Sequence, residues 1–523
     1  MTGPTGDDIF VNPRHMHEIS AEVWEALTKA NNPPFLFQRG HMLQDIMYGD
    51  DGRPMLRYLD KAAFKGVIDR NANFLRKTID ANVPTRPPDY VVADMMAFKE
   101  FPLPILLGIA NAPMFTPQGV LNITPGYQSD THYYLDLKDG MSIPQVPDKP
   151  DEAAVSRAKS LLLDELLTDF PFVTESDLAN TVAVMMLGFV RPMIKGPTPL
   201  HLIESPTPGT GKGLLVDMIT MPATGQGPNV MTEGRDEEEM RKRITAKLLQ
   251  APSAVLIDNV RYPLKSAALS AALTSDVWED RVLGYSHTAA IPVTCTWLAT
   301  ANNPHLSVEL ARRTVSIRLD AVEEKPWKRE GFRHKHLRRW ALENRGELIW
   351  ALLTLVQAWI ASGKPLGKEP LGSYEAYAEV MGGILEVAGI SGFLGTQDRG
   401  YEEAEQELGP WAEFCEIWWQ DCRDKEVRTD YLFNLASHHK LLQDLWGGKD
   451  EHAARTAFGK AMANMRDRVI GRLRIRRTGT DSRTKALVYR LELIGEDQSA
   501  GLAGVRGGHS DGEKLNINNN LPG

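Results

Sequence analysis

The segment SPTPGTGKG at residues 205–213 carries the side chains best suited to hold a phosphate group. Glycines let consecutive backbone N–H groups point at an anion, a following helix adds its positive end, and a lysine reaches the outer phosphates. Against the usual spacing G-x-x-x-x-G-K-[ST], Pro206 replaces the first glycine and Gly213 replaces the hydroxyl residue that touches Mg²⁺. A chance G-T-G-K is the alternative, and the apolar strand before it and helical segment after it argue against chance. The predicted ATP-binding residues are Pro208, Gly209, Thr210, Gly211, Lys212 and Gly213.

Two further strand ends carry polar side chains that suit nucleotide chemistry. The apolar run SAVLIDNV ends at Asp258, a carboxylate that could order Mg²⁺ and its water at the carboxyl edge of a sheet. The next residue, at a position where a catalytic Glu often stands, is Asn259. The candidates for the general base are therefore Asp258, acting through water, and Glu204. The run TCTWLATANN ends in Asn302, our first candidate to orient the attacking water, and Asn303, our second. Ordinary strand-end turns are the alternative interpretation of both runs.

The adjacent residues Arg312 and Arg313 come just before another strand-like run, TVSIRLD. An arginine aimed across a subunit boundary at a neighbour's phosphates stabilises transition-state charge, so its loss slows turnover more than it weakens binding. Either arginine is a candidate for this role. The other candidate catalytic residues are Lys212, Asp258, Asn259 and Asn302. A solvated or ion-paired helix end is the alternative.

The elements that must position these residues alternate between helices and short apolar strands from about residue 155 to 325. Segments with helical spacing separate four predicted strands: PLHLIES, AVLIDNV, VTCTWLATANN and RTVSIRLD. Such alternation predicts an α/β fold with a mostly parallel sheet. Because the carboxyl ends of parallel strands meet at one edge, the loop and the two polar strand ends should converge there.

Shifts in composition divide the chain into six predicted segments. The third is read as a helical extension of the ATPase core, and the last has too few apolar residues to fold. The segments are an α+β accessory domain (1–150), a P-loop ATPase core (151–325), the helical extension (326–365), a linker (366–400), a winged-helix-like domain (401–494) and a disordered tail (495–523).

Bulk composition limits the class of protein. The 523 residues carry a formal net charge of −9, so any nucleic-acid surface must be local. The three cysteines lack C-x-x-C spacing, which argues for a reducing compartment and against a disulfide framework or zinc site. The first residues do not resemble a signal peptide, and the longest apolar-rich run, 348–363, is shorter than a membrane span requires. We therefore expect a cytoplasmic protein with no membrane partner.

The C-terminal part is locally basic, with 11 lysines and arginines against 3 acidic residues between positions 451 and 490. A helical segment followed by two strands around TGTDSRT is typical of a winged helix with a basic wing. Alternation should place Arg472, Arg474 and Arg476 on one face of a strand, opposite Leu473 and Ile475. Such side chains would neutralise DNA phosphates, although a basic protein-binding domain is the alternative. The DNA-binding candidates are Arg466, Arg468, Arg474, Arg476, Arg477, Arg483 and Lys485.

Four motifs carry a resemblance to a known family: PTPGTGKG, VLIDNV, LATANN and LARRTVSIRLD. Together they resemble the AAA+ ATPases, and more closely the superfamily 3 helicase-like proteins of phages, plasmids and integrated elements. The resemblance covers about residues 155–345. More weakly, residues 113–127 and the basic C-terminal hairpin resemble phage-type primase–helicase proteins. The resemblance implies ATP and Mg²⁺ as cofactors, a homo-oligomeric and hexameric ring, and single-stranded or forked DNA as a partner.

The resemblance also implies a hairpin before the second polar strand that projects into the ring's channel and grips DNA. It maps onto residues 281–291, with Tyr285 and His287 as candidates. A plain β-turn is the alternative there, and Arg281 could instead face a neighbour's nucleotide. No pair of carboxylates with a histidine suits a primase or nuclease centre, so a separate primase or other replication protein is a candidate partner.

The resulting hypothesis is an ATP-dependent DNA helicase or translocase for replication of a phage or mobile element. One alternative is an ATP-switched DNA-binding initiator or loader with little or no hydrolysis, which Gly213 and Asn259 favour. Another is an ATPase motor acting on protein, which the basic C-terminal hairpin argues against.

Overall fold

Apolar runs of strand length build a five-stranded sheet in the larger of the two compact units into which the chain divides, Met1–Tyr401 and Glu402–Gly523. The computed structural model describes residues 8–50, 52, 54–137, 141–234, 236–260, 264–281, 288–304, 306–323, 325–397, 409–448, 450–483 and 486–494.

Helices and small sheets at the start of the larger unit enclose an apolar core of their own, which includes Trp24, Phe64 and Ile68. The strands are short and mostly antiparallel. The elements are β1 (Asp8–Phe10), α1 (Met16–Ala30), β2 (Leu36–Arg39), β3 (Met42–Tyr48), β4 (Pro54–Tyr58), α2 (Lys61–Asn71), β5 (Asn73–Lys77), β6 (Asn82–Pro84), α3 (Asp89–Met96), β7 (Gly108–Ala110), β8 (Met114–Phe115), β9 (Leu121–Asn122), β10 (Gly126–Gln128) and β11 (Tyr133–Leu135).

Helical spacing over residues 56–77 predicts one helix, and that prediction is wrong at both ends. The Asp60 side chain accepts a hydrogen bond from the N–H of Ala63, which fixes the start of α2 at Lys61. The residues before and after α2 pair as strands β4 and β5 instead. Sheet pairing therefore overrides the local helical pattern at both ends.

The turn between β2 and β3 packs closely against the next part of the unit. A Cβ built on Gly40, whose φ is +58°, would lie 1.8 Å from the carbonyl oxygen of Ala290. The fully buried Arg39 guanidinium donates hydrogen bonds to the carbonyls of Leu107 at 3.3 Å and Pro292 at 3.1 Å. Burial lowers the pKa of Arg39 to about 10.

The middle of the unit alternates strands and helices as the sequence predicts. A π-helical segment, Leu161–Leu166, continues its first helix, and a 3-10 turn, Arg191–Met193, follows its second. The elements are α4 (Glu152–Ser160), α5 (Glu175–Val190), β12 (Leu200–Ser205), α6 (Lys212–Thr224), β13 (Asn229–Thr232), α7 (Glu237–Leu249), β14 (Ala254–Val260), α8 (Ala267–Thr274), β15 (Val277–Arg281), β16 (Thr288–Pro292), β17 (Thr296–Asn302), α9 (Val308–Ala311) and β18 (Thr314–Arg318).

The central sheet has the strand order β13–β14–β17–β12–β18, and every neighbouring pair is parallel. Leu202 and Ile257 face the core that contains α7 and α8, whereas Ile203 and Leu256 face the core that contains α5 and α6. Burial on both faces explains why these strands read as continuous apolar runs. The expected mixed α/β fold with a parallel sheet is confirmed.

Helices follow the sheet: a 3-10 turn at Pro326–Lys328, then α10 (Leu337–Glu343), α11 (Arg345–Ala361) and α12 (Glu375–Ala388). Most of α11 is buried, and it packs against α4 and α12. Helix α12 lies inside the segment expected to be a linker, because its apolar side chains, including Tyr377, Met381 and Ile384, join the core. Among the helices described, none is both long and apolar enough to cross a membrane.

The smaller unit packs three helices against an antiparallel sheet of order β19–β22–β21–β20. Its core is aromatic and includes Phe414, Trp418 and Phe458, and the predicted hairpin is present as β21 and β22. The elements are α13 (Gly409–Cys422), β19 (Val427–Arg428), α14 (Thr429–His438), a 3-10 turn (Gln443–Leu445), α15 (Glu451–Asn464), β20 (Val469–Ile470), β21 (Leu473–Thr480) and β22 (Leu487–Leu493).

Candidate nucleotide site

The loop between β12 and α6 has the backbone that a phosphate cradle needs. Gly209 has a φ of +82° and Gly211 a φ of +97°, a region that other residues rarely adopt. These turns carry the chain from Ser205 to Lys212, where helix α6 begins. The loop therefore ends at a helix N-terminus, where free N–H groups and the helix dipole favour an anion. Pro208, Thr210 and Gly213 lie on the same segment.

The Lys212 side chain reaches back across the edge of the sheet. Its Nζ donates hydrogen bonds to Ser205 Oγ and to Asn302 Oδ1, both at 2.6 Å. Burial lowers the pKa of the Lys212 ammonium, and the negative charge of Asp258 opposes that shift. This cation lies at the ends of β12 and β17, and both of its hydrogen-bond partners are neutral oxygens, so Asp258 supplies the nearby negative charge.

Asp258 lies on the next strand of the sheet, β14, and its side chain is held by Thr300. The hydroxyl of Thr300 donates to Asp258 Oδ1 at 2.6 Å and accepts from the N–H of Asn259 at 2.8 Å. The ladder between β14 and β17 shifts register between Ile257 and Val260, and Asn259 adopts a φ of +55° there. The Thr300 hydroxyl thus takes the place of a ladder partner at this β-bulge.

The fit of Mg²⁺ rests on the donors that these residues offer. Asp258 is exposed and keeps its second carboxylate oxygen, whereas Gly213 offers no hydroxyl. Within the described part of the chain, no group of three or more His, Cys, Asp or Glu side chains could hold a metal ion. Mg²⁺ commonly binds through one or two carboxylates, substrate phosphates and water, so Asp258 fits Mg²⁺ only together with a nucleotide.

The two adjacent arginines differ in their surroundings. Arg313 is paired with Glu309 at 2.9 Å and also donates to its carbonyl at 3.0 Å. Arg312 is exposed, and no described carboxylate pairs with it. The geometry therefore leaves Arg312 as the freer cation of the two.

Four other predicted residues of this region differ in whether and where the structure places them. Asn303 has a φ of +41°, and its N–H donates to the carbonyl of Ser205 at 3.1 Å, which ties β17 to the start of the loop. Arg281 is exposed at the end of β15. Tyr285 and His287 lie outside the described residues.

Sequence reasoning missed Ser205 and Thr300. Ser205 is the last residue of β12, and its hydroxyl contacts both Lys212 and the carbonyl of Thr207, the latter at 2.7 Å. Thr300 is a polar residue in an apolar strand, two positions before Asn302, and that interruption is the signal by which it could have been found.

In the smaller unit, acidic side chains form ion pairs with some of the arginines predicted to bind DNA. Arg476 pairs with Asp467 at 2.7 Å and Glu492 at 3.0 Å, and Arg466 lies 3.4 Å from Asp467. Arg474 is half-buried, and its Nε has no partner within the described structure.

Three other arginines of this surface, Arg468, Arg477 and Arg483, are exposed and have no ion pair among the described residues. Lys485 lies outside those residues. As the alternation predicted, Leu473 and Ile475 are buried and Arg474 and Arg476 are more exposed. The uncompensated charge is therefore concentrated at the turn after α15 and along the β21–β22 hairpin.

Comparison with known proteins gives only distant similarities. No protein-family model and no curated protein matches this chain. Among solved structures, the apo C-terminal region of NrS-1 is 12% identical with a TM-score of 0.40, over 90% of this chain and 98% of that chain. SCCmec type IV Cch, described as an active helicase, is 11% identical with a TM-score of 0.37, over 88% and 92% of the two chains.

The JCV helicase is 14% identical with a TM-score of 0.19, over 48% of this chain and 73% of that chain. Two of these three structures are thus described as helicases. At such TM-scores the similarities carry no argument about activity. The fold and the site themselves define a mixed α/β protein with a loop of positive-φ glycines at the carboxyl edge of a parallel sheet.

Proposed function

We propose that this chain is an ATP-dependent DNA helicase or translocase that acts in the replication of a phage or mobile element. The observation that carries the proposal is the contact of Lys212 with Asn302 beside the loop, with Asp258 on the adjoining strand. Three groups with distinct uses in phosphoryl transfer meet at one edge of the sheet: a cation, a carboxylate and an amide.

In this proposal, each group acts on a different part of the nucleotide. The N–H groups of residues 209–213 and the Lys212 ammonium bind phosphate oxygens. Asp258, oriented by Thr300, would hold Mg²⁺, which when bound would supply charge neutralisation at the phosphates. When a nucleotide binds, Asn302 would exchange its contact with Lys212 for one with the γ-phosphate or the attacking water. Because Asn302 ends β17, nucleotide binding at the loop would change the contacts of that strand.

A homo-oligomeric, hexameric ring would complete the site with an arginine from the neighbouring subunit. Arg312 supports this part of the proposal, because it is exposed and has no described carboxylate partner. Arg313 is the second candidate, and its pairing with Glu309 would have to break first. Such an arginine stabilises charge in the transition state and typically contributes a large factor in turnover.

The smaller unit would capture single-stranded or forked DNA. Its element order of helix, strand, two helices and a hairpin supports a winged-helix assignment. Arg468, Arg477 and Arg483 would make salt-dependent contacts with phosphates. A separate primase or other replication protein in the cytoplasm would complete the replication machinery.

The test is ATP hydrolysis with and without single-stranded DNA, comparing the native chain with Lys212→Ala. We expect DNA to stimulate turnover in the native chain, and we expect turnover to fall by about a hundredfold or more in Lys212→Ala. The matched control is Lys195→Ala, because Lys195 is an exposed lysine of the same unit. Equal turnover in Lys212→Ala and Lys195→Ala would sink the assignment of the site.

A second function, an ATP-switched initiator or loader with little hydrolysis, is favoured by one observation. Asn259 presents no carboxylate beside Asp258, and Gly213 presents no hydroxyl for Mg²⁺. This function predicts that ATP drives assembly of the chain on DNA while phosphate release stays at background. Analytical ultracentrifugation with ATP, together with the hydrolysis assay, separates the two functions.

A further inference from the structure

Trp327 is an exposed aromatic residue that lies against the phosphate loop. It belongs to the 3-10 turn Pro326–Lys328, and 61% of its surface is accessible to solvent. A Cβ built on Gly209 would lie 3.0 Å from Trp327 Cε3 and 3.5 Å from its Cβ. One edge of the indole therefore contacts the loop backbone, while much of the ring surface remains open.

Contacts on both sides fix the position of this tryptophan. Pro326 before it is buried. After it, the Arg329 guanidinium donates to the carbonyl of Asp169 at 3.1 Å, and the N–H of Arg333 donates to the Asp169 carboxylate at 2.8 Å. The segment that carries the indole is thus tied to the chain that precedes α5, so Trp327 is presented on an anchored turn.

The same preceding chain also lines the loop. Phe170, next to Asp169, is nearly buried, and a Cβ built on Gly211 would lie 3.7 Å from its Cε1. The loop glycines therefore lie between a buried aromatic ring near Gly211 and an open aromatic ring near Gly209. Because Trp327 is exposed and Phe170 is buried, Trp327 is the one of these two aromatic residues that a ligand can reach.

A nucleotide held by the loop through its phosphates must place its base on a nearby surface. Every base has a flat π-face, and stacking on an aromatic side chain stabilises binding without requiring particular hydrogen bonds. An indole that touches the phosphate loop and keeps an exposed face has the chemistry and the location for this contact.

We propose that Trp327 is the stacking platform for the base of the bound nucleoside triphosphate. The inference rests on the proposed nucleotide site and adds a subsite for the base, outside the loop itself. It predicts that purine nucleotides bind more tightly than pyrimidine nucleotides, because their ring face is larger. Trp327 is a binding residue in this proposal and takes no part in bond breaking.

The test compares two ligands that share phosphates and differ in the base: ATP and inorganic tripolyphosphate, each with Mg²⁺, by isothermal titration calorimetry. We expect Trp327→Ala to weaken ATP binding by about tenfold and to change tripolyphosphate binding by less than about twofold. Trp327→Phe should retain most of the ATP affinity, because it keeps an aromatic face. Unchanged circular dichroism and melting temperature would show that the variants are folded.

The outcomes separate this inference from the nucleotide site on which it rests. If the native chain binds both ligands but Trp327→Ala weakens the binding of both equally, or of neither, then Trp327 does not stack on the base. That result overturns the inference and leaves the nucleotide site intact. If the native chain binds neither ligand, the nucleotide site fails and the inference fails with it. Lys212→Ala, which should weaken both ligands together, shows that the assay reports binding at the loop.

Discussion

The phosphate loop and the C-terminal hairpin both present positive charge, but they hold it in different ways. At the loop, one ammonium group, on Lys212, is half-buried and hydrogen-bonded to neutral oxygens. At the hairpin, many guanidinium groups are exposed, and Arg476 among them is paired with acids.

The two arrangements of positive charge favour different kinds of anion. A partly desolvated cation interacts strongly with one anion and is screened little by salt, whereas exposed charges act collectively and are screened within about a Debye length. We therefore expect the loop to bind a defined phosphate group and the hairpin to bind a polyanion without a fixed register.

A large effect on turnover is expected at Thr300, beside the loop. Thr300→Val removes the hydroxyl that orients the Asp258 carboxylate, so ATP turnover should fall by about tenfold or more, since partners of metal ligands typically matter on that scale. The concentration of Mg²⁺ that gives half-maximal turnover should rise in parallel, as measured by steady-state kinetics.

Thr300→Ser is the matched control for this change, because it keeps the hydroxyl and should retain most of the activity and the native Mg²⁺ dependence. A Thr300→Val enzyme with native turnover and native Mg²⁺ dependence would show that Asp258 needs no such orientation.

A smaller effect is expected at the hairpin, where paired and unpaired arginines can be compared directly. Arg477→Ala should weaken binding of single-stranded DNA by about threefold and reduce the slope of log affinity against log salt by about 1. Arg476→Ala should have less effect, because Asp467 and Glu492 already offset its charge.

Fluorescence anisotropy across a salt series measures both changes. A larger loss of DNA affinity in Arg476→Ala than in Arg477→Ala would contradict this prediction. Local ion pairing would then not determine which charges reach DNA.

The smallest effect is a pH dependence at the loop. The pKa of Lys212 is lowered in the free protein by burial, so ATP affinity should begin to fall, as pH rises, below the pH at which an exposed lysine loses its proton. Between the folded and the unfolded pKa, the unfolded chain binds more protons, so the stability of the free protein contributed by this group rises with pH there.

Calorimetric titration of ATP at increasing pH tests this prediction, with Lys212→Arg as a control that stays charged throughout. Native affinity that stays constant up to the ordinary lysine range would contradict the lowered pKa.

Much of the sheet could be predicted from sequence, because strands buried on both faces are continuous apolar runs that end in polar residues. The convergence of Lys212, Asp258 and Asn302 at one edge follows from the parallel arrangement alone. Their catalytic and binding roles stay predictions.

The rest depends on contacts that sequence spacing does not encode. The hydrogen bond between Thr300 and Asp258 requires a bulge between Ile257 and Val260, which the apolar pattern does not reveal. The contact of Trp327 with Gly209 depends on how the chain after β18 folds back over the loop. Likewise, which hairpin arginines are neutralised depends on tertiary neighbours such as Asp467.

The close approach of Gly40 to Ala290 has a mechanical consequence. Strands β15 and β16 form a two-stranded ribbon, a kind of element that is weak by itself. The turn at Gly40 and the hydrogen bond from Arg39 to Pro292 brace the second strand of this ribbon from the side of the N-terminal region. Displacing β16 would therefore also disturb the N-terminal elements that carry Gly40 and Arg39.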